Sequence, residues 1–233
     1  MQIVRLVANA NEHHLRERHP GEILISGSLG ALLLTWEYAI AVAGRLLGID
    51  PFDQPDVESA KEAARGLLEE RPATSAPSFV EGGIEVRSDS AALTAAGTVV
   101  GSVDALLAQL PEGGYVAVMA YVDRLESPEL AELRDLLALR SHRPVTFGWG
   151  PRFLHSTGQY HKGGPQNGSF LQITGAVETD LPVPGRPYTF GELQAAQAAG
   201  DRQALGGRGR PLLRLHLTDR TAGIAQLLAA LGG

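Results

Sequence analysis

The chain has 233 residues, of which 44% are hydrophobic and 20% are charged, with a formal net charge of -6 and no cysteine. This composition is that of a globular protein with one large domain, or with one domain and an appendage. The lack of cysteine excludes disulfides, thiolate metal sites and a cysteine nucleophile, and it fits a reducing cytoplasm. The acidic balance without a basic run argues against nucleic-acid binding.

The first residues predict a strand and then a polar loop. Residues 3–7 form a short apolar run, and the stretch that follows is rich in Asn and His until it reaches Pro20 and Gly21. The start of the chain lacks the basic residues and long apolar stretch of a secretory signal peptide, so no export is predicted.

Residues 29–47 predict a helix that is apolar on most of its sides. Ser28 is a suitable N-cap, and Gly48 is a suitable end. A helix of this kind normally has protein around it. Because Glu37 and Arg45 interrupt the apolar run, we interpret it as a buried helix and not as a membrane span.

A second helix and a linker follow. A turn over residues 49–55 precedes a helix over 57–68, for which Asp56 is the expected N-cap. The stretch that follows, residues 70–83, is rich in Pro, Ala, Thr and Ser and has no periodic spacing of apolar residues, which is typical of a linker. The predicted organisation is a helical segment over 1–70, a linker over 71–83 and a domain over 84–233.

The carboxyl-terminal part alternates between strand and helix patterns. Strands are predicted over residues 84–86, 115–121, 145–149, 170–174 and 211–217. Helices are predicted over residues 102–110, 128–140 and 190–204, with a short one from Pro151 and a last one from Arg220. Strands separated by helices of this length favour an α/β class with a doubly wound, mostly parallel sheet in three layers.

The loop after the strand at 145–149 is the densest in Gly, His and hydrogen-bonding side chains. Ligands of such sheets bind beyond the carboxyl ends of the strands, so this loop is a candidate site. Its candidate anion-binding residues, for a phosphate or a carboxylate, are Arg152, His155, Lys162, Gly163 and Gly164. The alternative is a loop that docks this domain onto other protein.

Two other kinds of chemistry fit this loop poorly. His155 and His161 are six residues apart, which does not match the i, i+4 spacing of a helical zinc site, so no metal site is predicted. Ser156 and Thr157 lie beside His155, but no Gly-x-Ser-x-Gly elbow is present, which argues against a hydrolase.

Lys61 is a candidate on local grounds alone. It lies just over one turn into the second predicted helix, where free N–H groups and the helix dipole favour an anion such as a phosphate. A lysine near this end fits better when an anion is bound nearby. The alternative interpretation is a solvated surface lysine.

Two segments resemble a known family. WEYAIAVAG (residues 36–44) followed by GIDPFDQPDVESAK (48–61) resembles the carboxyl-terminal signature of glucose-6-phosphate isomerase. FGWGPRFLHSTGQYHKGGP (147–165) is similar to the carboxyl-terminal extension of bacterial isomerases that are often fused behind a transaldolase. Shorter similar segments extend the resemblance over nearly the whole chain.

The resemblance implies interconversion of glucose 6-phosphate and fructose 6-phosphate, through ring opening and a proton shuttle over a cis-enediol, without a metal or organic cofactor. Lys61 matches the family's active-site lysine by the sugar ring oxygen, and Gln54 matches the signature glutamine near the phosphate. Asp56 stands where the family usually has Gly or Ala. The resemblance also implies a cytoplasmic protein with a sugar-isomerase (SIS-like) or flavodoxin-like fold. The implied partner is a second copy in a homodimer, or the rest of an isomerase polypeptide. Neither nucleic acid nor membrane is an expected partner.

The family's other catalytic groups are expected upstream of this chain. They are a general-base glutamate, a ring-opening histidine, a phosphate-binding Ser/Thr loop and an arginine. His13, His14 and His19 match none of these motifs and are interpreted as surface residues, and Glu37 is not the base. Two functions therefore remain: the carboxyl-terminal part of an isomerase, incomplete as a catalyst, or a non-catalytic phospho-sugar-binding or docking module.

Overall fold

The computed structural model describes residues 4–8, 20–53, 55–70, 76–155 and 157–232, without the side chains of 55–61, 70, 154 and 155. Two compact units divide the chain, Met1–Gln54 and Pro55–Gly233. Each unit is described by itself below. The predicted loop over 9–19, and Gln54, lie outside the described residues.

The amino-terminal unit contains two short strands and one helix. β1 (Val4–Val7) pairs in parallel with β2 (Ile23–Ser26), a strand that the sequence pattern did not reveal. α1 (Leu29–Leu47) has the predicted ends: the Ser28 side chain accepts a hydrogen bond from the Ala31 N–H at 3.4 Å, and Gly48 ends the helix with a φ of 69°. Both ends are set locally, by a cap that satisfies a free N–H and by a glycine in the left-handed region.

The prediction that α1 is buried is wrong. Gly44 is its one buried residue, and large apolar side chains such as Leu33 (58% exposed) and Leu46 (81%) face solvent. Within the described part of this unit the other elements are two strands of four residues each, which are too small to cover a helix of 19 residues. By length and composition α1 could cross a membrane, so Glu37 and Arg45 do not exclude a span, although core helices of soluble proteins meet the same criterion.

The carboxyl-terminal unit is an α/β sandwich. Its strands are β3 (Phe79–Glu81), β4 (Ile84–Arg87), β5 (Tyr115–Tyr121), β6 (Val145–Trp149), β7 (Gly168–Gly175) and β8 (Leu212–Leu217). Its helices are α2 (Pro55–Glu70), α3 (Ala91–Thr94), α4 (Val99–Leu107), α5 (Leu133–Ser141), α6 (Gly158–Gly163), α7 (Phe190–Gly206) and α8 (Arg220–Gly232), with 3-10 turns at Pro128–Glu132 and Arg152–His155. The predicted α/β class is confirmed.

The six-stranded sheet has the order β3-β4-β8-β7-β5-β6. The pairs β8-β7, β7-β5 and β5-β6 are parallel, while β3-β4 and β4-β8 are antiparallel. The sheet is therefore mostly parallel, as predicted, with an antiparallel hairpin added at the β8 edge.

Helices cover both faces of the sheet, and β5 lies between them. On one face Val116 and Val118 pack in a core that includes α4, α5 and α8. On the opposite face Tyr115 and Tyr121 pack in a second core that includes Leu205 of α7. All of β5 is buried, because a central strand with helices on both sides has no face in water.

The division of the chain differs from the predicted one. α2 begins at Pro55 and not after an Asp56 cap, since proline is favoured at the first helical position. α2 belongs to the α/β unit, where it packs along α7 and against α6. β3 lies within the predicted linker, where it pairs with β4. The unit boundary therefore precedes α2, because tertiary packing and not loop composition sets it.

Candidate functional site

α6 carries the candidate loop motif onto the aromatic face of β5. Tyr115 and Tyr121 lie at the two ends of β5 and point to the same face, since alternate residues of a strand share a face. The His161 ring contacts the rings of Tyr115 and Phe170, with ring centres 5.7 Å and 5.5 Å apart. The predicted ligand loop is thus folded into the protein and packs on the sheet.

A buried ion pair anchors α6 to α7. Lys162 Nζ lies 2.6 Å from Asp201 Oδ1, and the two residues are 1% and 0% exposed. The Tyr121 hydroxyl donates a hydrogen bond to Asp201 Oδ2. Burial and the adjacent carboxylate raise the pKa of Tyr121 well above its ordinary value, so the phenol stays protonated and acts as a donor.

Asp201 experiences opposing effects. Burial raises the pKa of its carboxyl, while the Lys162 charge and the hydrogen bonds from Lys162 and Tyr121 oppose that rise. A buried carboxylate is tolerated only when it is paired and hydrogen-bonded, and both conditions are met here. The group is therefore a structural centre in which each charge already has its partner.

His161 is held in the neutral form beside this centre. Burial, with the charges of Lys162 and Arg210, lowers the pKa of His161 to about 4. Its Nδ1 lies 2.9 Å from the Tyr115 hydroxyl, and burial raises the pKa of Tyr115 to about 12. The neutral ring nitrogen therefore accepts a hydrogen bond that the phenol donates.

Arg210 fastens the end of α6 and the loop that follows it. Its Nη2 donates to the carbonyl oxygens of Lys162 at 2.7 Å and Gly164 at 2.6 Å, and its Nη1 donates to the Pro165 carbonyl at 2.8 Å. Arg208 adds a bond to the Lys162 carbonyl at 2.9 Å. Through these charge-assisted hydrogen bonds, the loop between α7 and β8 fixes the Gly-rich segment at the end of α6 in place.

The predicted anion-binding residues take different positions. Lys162 is enclosed, so an anion would have to displace Asp201 to reach it. Arg152 and Gly163 are exposed and Gly164 is half-buried, all near the ends of short helical turns. The backbone of His155 lies in a 3-10 turn, but its side chain is outside the described residues. Among the described side chains, no three His, Asp or Glu residues cluster as metal ligands would.

The end of the first segment singled out in the sequence, which lies in α2, becomes a neighbour of the second segment. Lys61 lies in α2, and α2 packs against both α6 and α7. The side chain of Lys61 is outside the described residues, as is Gln54. The helix of the predicted catalytic lysine therefore runs beside the helix of the predicted loop motif.

Sequence reasoning missed the partners of Lys162 and His161. Asp201 lies in a run of Ala, Gln and Gly on α7, where a lone acid among small residues was a usable sign of close packing around a charge. Tyr115 and Tyr121 occupy the two ends of one predicted strand at an even spacing, which puts both hydroxyls on one face. No local signal connects Arg210 to the loop, because their contact depends on the β7–β8 pairing.

Comparison with known proteins gives partial matches, and no protein-family model matches the chain. A stretch of 41 residues, 18% of this chain, is 49% identical to a glucose-6-phosphate isomerase from Leptospira interrogans serogroup Icterohaemorrhagiae serovar Lai (strain 56601) and covers 9% of it. The crystal structure of hypothetical protein TT0462 from Thermus thermophilus matches 90% of this chain with a TM-score of 0.50 and 15% identity, and 49% of that chain is covered. The second likeness concerns the fold alone. The chain thus contains a short stretch similar to a glucose-6-phosphate isomerase and spans less than half of either protein.

Proposed function

We propose that this chain forms part of a glucose-6-phosphate isomerase, which interconverts glucose 6-phosphate and fructose 6-phosphate in the cytoplasm. The observation that carries the proposal is the 41-residue stretch that is 49% identical to such an enzyme. The substrate is a sugar phosphate, and the reaction needs no metal or organic cofactor. Fusion behind a transaldolase and a sugar-isomerase-like three-layer fold are further parts of the same proposal.

The packing of α2 supports the proposal. The isomerase-like signature ends in α2, and the second isomerase-like segment includes α6, against which α2 packs. Residues that act on one small substrate must lie within a few ångströms of it, so distant segments of one site must converge. α2 and α6 bring the end of the first segment and part of the second together, although residues 71–157 separate the two helices along the chain.

The proposal gives each candidate residue a role. Lys61 places a cation beside the oxygen on which charge develops during ring opening and enediol formation, and Gln54 binds towards the phosphate. Arg152, Gly163 and Gly164 approach the substrate phosphate or its hydroxyls, with His155 beside them. Lys162 is a positioning residue, because its pair with Asp201 fixes α6 relative to α7.

The exposed face of α1 requires a partner in this proposal. An apolar helix with one buried residue is unfavourable in water, and burying such side chains contributes about 25 cal/mol per Å². The partner is a second copy of the chain, or the remaining polypeptide of an isomerase. Of these two partners, the remaining polypeptide would also supply the family's other catalytic groups, whereas a second copy would only cover the apolar face.

Turnover is the first test. The chain is expected to be incomplete as a catalyst, so glucose 6-phosphate formed by the full chain from fructose 6-phosphate in a coupled assay would show that its own residues complete the site. If that turnover is observed, Lys61→Ala should reduce the rate by about 10²-fold or more. Glu62→Gln, an exposed change on the same helix, is the matched control and should retain the parent rate. Parent activity that survives Lys61→Ala would remove Lys61 from the mechanism.

The lysine content allows a second test that does not need turnover. Lys61 and Lys162 are the two lysines of the chain, and Lys162 is 1% exposed. Reductive methylation followed by peptide mass spectrometry should modify Lys61, spare Lys162, and proceed more slowly at Lys61 when fructose 6-phosphate is present. Equal labelling of Lys61 with and without the sugar phosphate, together with no turnover, would refute the proposal.

A non-catalytic phospho-sugar-binding or docking module is the second candidate. The docking role is favoured by the loop's internal contacts, in which Asp201 neutralises Lys162 and Arg210 donates to three loop carbonyls. Protection of Lys61 by fructose 6-phosphate without turnover would show phospho-sugar binding, and turnover restored by adding the upstream isomerase polypeptide would then favour the enzyme over this module.

A further inference from the structure

Two arginines face each other across the antiparallel edge of the sheet. The register of β4 and β8 places Arg87 directly opposite Arg214. The alternate residues of these strands, such as Val86 and Leu215, are fully buried in the main core, so both arginines point to the opposite face. Like charges directly opposite one another destabilise a sheet unless something compensates them.

A third arginine joins them from α7, and together they line a cleft of about 190 Å³. We call it the arginine cleft; its lining residues are Ala76, Ser78, Arg87, Ser88, Asp89, Arg202, Leu212 and Arg214. This volume is below the range of roughly 300 to 1,000 Å³ for sites of drug-sized ligands. The cleft therefore suits a small group.

The positive charge of the cleft exceeds its internal compensation. Arg87 pairs with Glu85 at 2.6 Å, and Arg202 forms an exposed contact with Asp89 at 3.3 Å. Arg214 has no ion pair among the described residues, and its Nε is buried without a hydrogen-bond partner there. Arg214 is half-buried and the Glu85 carboxylate attracts its charge, but the three arginines face only the carboxylates of Glu85 and Asp89 among the described residues of the cleft. The remaining positive charge and the unpaired Nε favour a bound anion.

The electrostatics of Arg214 agree with the geometry. Burial, with the charges of Arg87 and Arg202, lowers the pKa of Arg214 to about 10, although the Glu85 carboxylate acts in the opposite direction. The guanidinium still carries its charge near neutral pH, but its surroundings oppose that charge. Burial and the Arg214 charge also lower the pKa of His216, which lies two residues along the same strand face, so this histidine adds no positive charge near neutral pH.

We propose that the arginine cleft binds the phosphate group of a small phosphate monoester. Guanidinium groups present planar pairs of N–H donors that match phosphate oxygens bidentately, and three of them suit a dianion better than a single carboxylate. The site consists of residues other than Lys61 and α6, so it stands independently of the proposed isomerase function.

A neighbouring hollow indicates what carries the phosphate. This hollow, of about 280 Å³, shares Ser88, Asp89 and Leu212 with the arginine cleft and is also lined by Ser90, Gln109 and Arg210, whose guanidinium already binds the loop carbonyls after α6. Its hydroxyl, carboxylate and amide groups suit the hydroxyls of a ligand. The ligand class is therefore a phosphorylated polyol or sugar, with its phosphate on the arginines and its hydroxyls in the hollow.

Calorimetric titration of the full chain tests the proposal, with inorganic phosphate and glycerol 3-phosphate as probes. Arg214→Gln should raise the dissociation constant for both probes at least about tenfold, as loss of a charge-assisted bidentate contact would. Arg202→Gln changes a half-exposed side chain outside the core, so it tests the same site without risk to folding. Arg134→Gln, on the exposed side of α5, is the control and should bind both probes as the parent does.

Thermal unfolding separates a ligand site from a structural role. Removal of the unpaired Arg214 charge should leave the ligand-free variant at least as stable as the parent, but phosphate should no longer raise its Tm. Three results would overturn the proposal: no phosphate binding by the parent, equal binding by all variants, or tighter binding of malonate than of phosphate. A failed isomerase assay would leave these outcomes unaffected.

Discussion

Lys162 of α6 and Asp201 of α7 form an ion pair with 2.6 Å between Nζ and Oδ1, and neither residue is more than 1% exposed. The pair connects the loop that follows β6 to the helix that precedes β8. Tyr121, at the end of β5, donates to the same carboxylate. The loop richest in candidate ligands is thereby fixed by its own charges.

Breaking the Lys162–Asp201 ion pair should lower the stability of the fold. Lys162→Met leaves Asp201 buried without its cation, and removal of one partner of a buried pair costs about 3–5 kcal/mol of unfolding free energy. Lys162→Met combined with Asp201→Asn should lose less than the sum of the single changes, because no unpaired charge remains and Asn can still accept from Tyr121. Urea denaturation of the parent, the two single variants and the double variant measures these losses of unfolding free energy. The exposed pair Arg134–Asp135 provides the control, and Arg134→Ala should give no measurable loss. Additive single changes would contradict a coupled pair.

His161 should make the fold sensitive to acid. Its pKa is about 4 in the folded chain and about 6.5 when unfolded, so the unfolded state binds more protons between these values. Its contribution to stability is present above pH 6.5 and declines as the pH falls towards 4, by about 3 kcal/mol in total.

The matched variant for this effect is His161→Asn, which keeps an acceptor for the Tyr115 hydroxyl but cannot titrate in this range. The difference in unfolding free energy between parent and variant should shrink as the pH falls from 6.5 to 4. His142→Asn controls for the loss of a histidine, and Asn is well suited to the left-handed backbone at that position, where φ is 52°. A difference that does not change with pH would show that His161 does not titrate as described.

Gly150 should not tolerate a side chain. A Cβ there would lie 2.6 Å from the Tyr121 ring, which is 2% exposed and hydrogen-bonded to Asp201. Overpacking of this kind costs about 1–3 kcal/mol, so Gly150→Ala should lower the urea midpoint. Gly66→Ala is the matched control, since Gly66 lies within α2 with open space around its Cβ position. That change should be neutral or stabilising by up to about 1 kcal/mol.

α1 should drive association of the chain. Leu33 and Ile40 are seven residues apart on one helix face and are 58% and 50% exposed. Light scattering should find the parent as a dimer or larger species, and the double change Leu33→Gln and Ile40→Gln should shift it towards monomer. Leu139→Gln, at a position that is 73% exposed on α5, is the control. A monomeric parent, or a double variant that assembles like the parent, would refute the role of α1.

Elements with strong local signals were predictable from the sequence. β5 and β6 have the predicted ends, because each is a short β-prone run between turn residues. α1 also has its predicted ends, since Ser28 and Gly48 act on the neighbouring turn. α4 begins at Val99 and not at 102, because Thr98 caps it by accepting a bond from the Gly101 N–H. The cap at Thr98 was not recognised in the sequence, so the predicted start of α4 was wrong while its prediction as a helix was right.

The candidate site was only partly predictable. The composition of residues 147–165 made them a candidate site, but the sequence did not reveal that Lys162 and His161 of this motif are buried. Whether Lys162 binds a ligand or a carboxylate depends on α7 lying over α6, and Asp201 is far away in sequence. The arginine cleft was invisible for the same reason, since Arg87 and Arg214 meet only through the β4–β8 register.

Short-range physics therefore accounts for the α/β class and for those helices and strands that have clear caps, turns and apolar periods, because these signals act within a few residues. The strand order, the position of α2 on α7, and the choice of which charges are buried together are different. They depend on contacts between residues that are distant along the chain, whose free energies exist only once the sheet has formed and water has been excluded. For that reason the residue types suggested a chemistry, while long-range packing assigned Lys162 to a structural pair and gathered the arginines into a cleft.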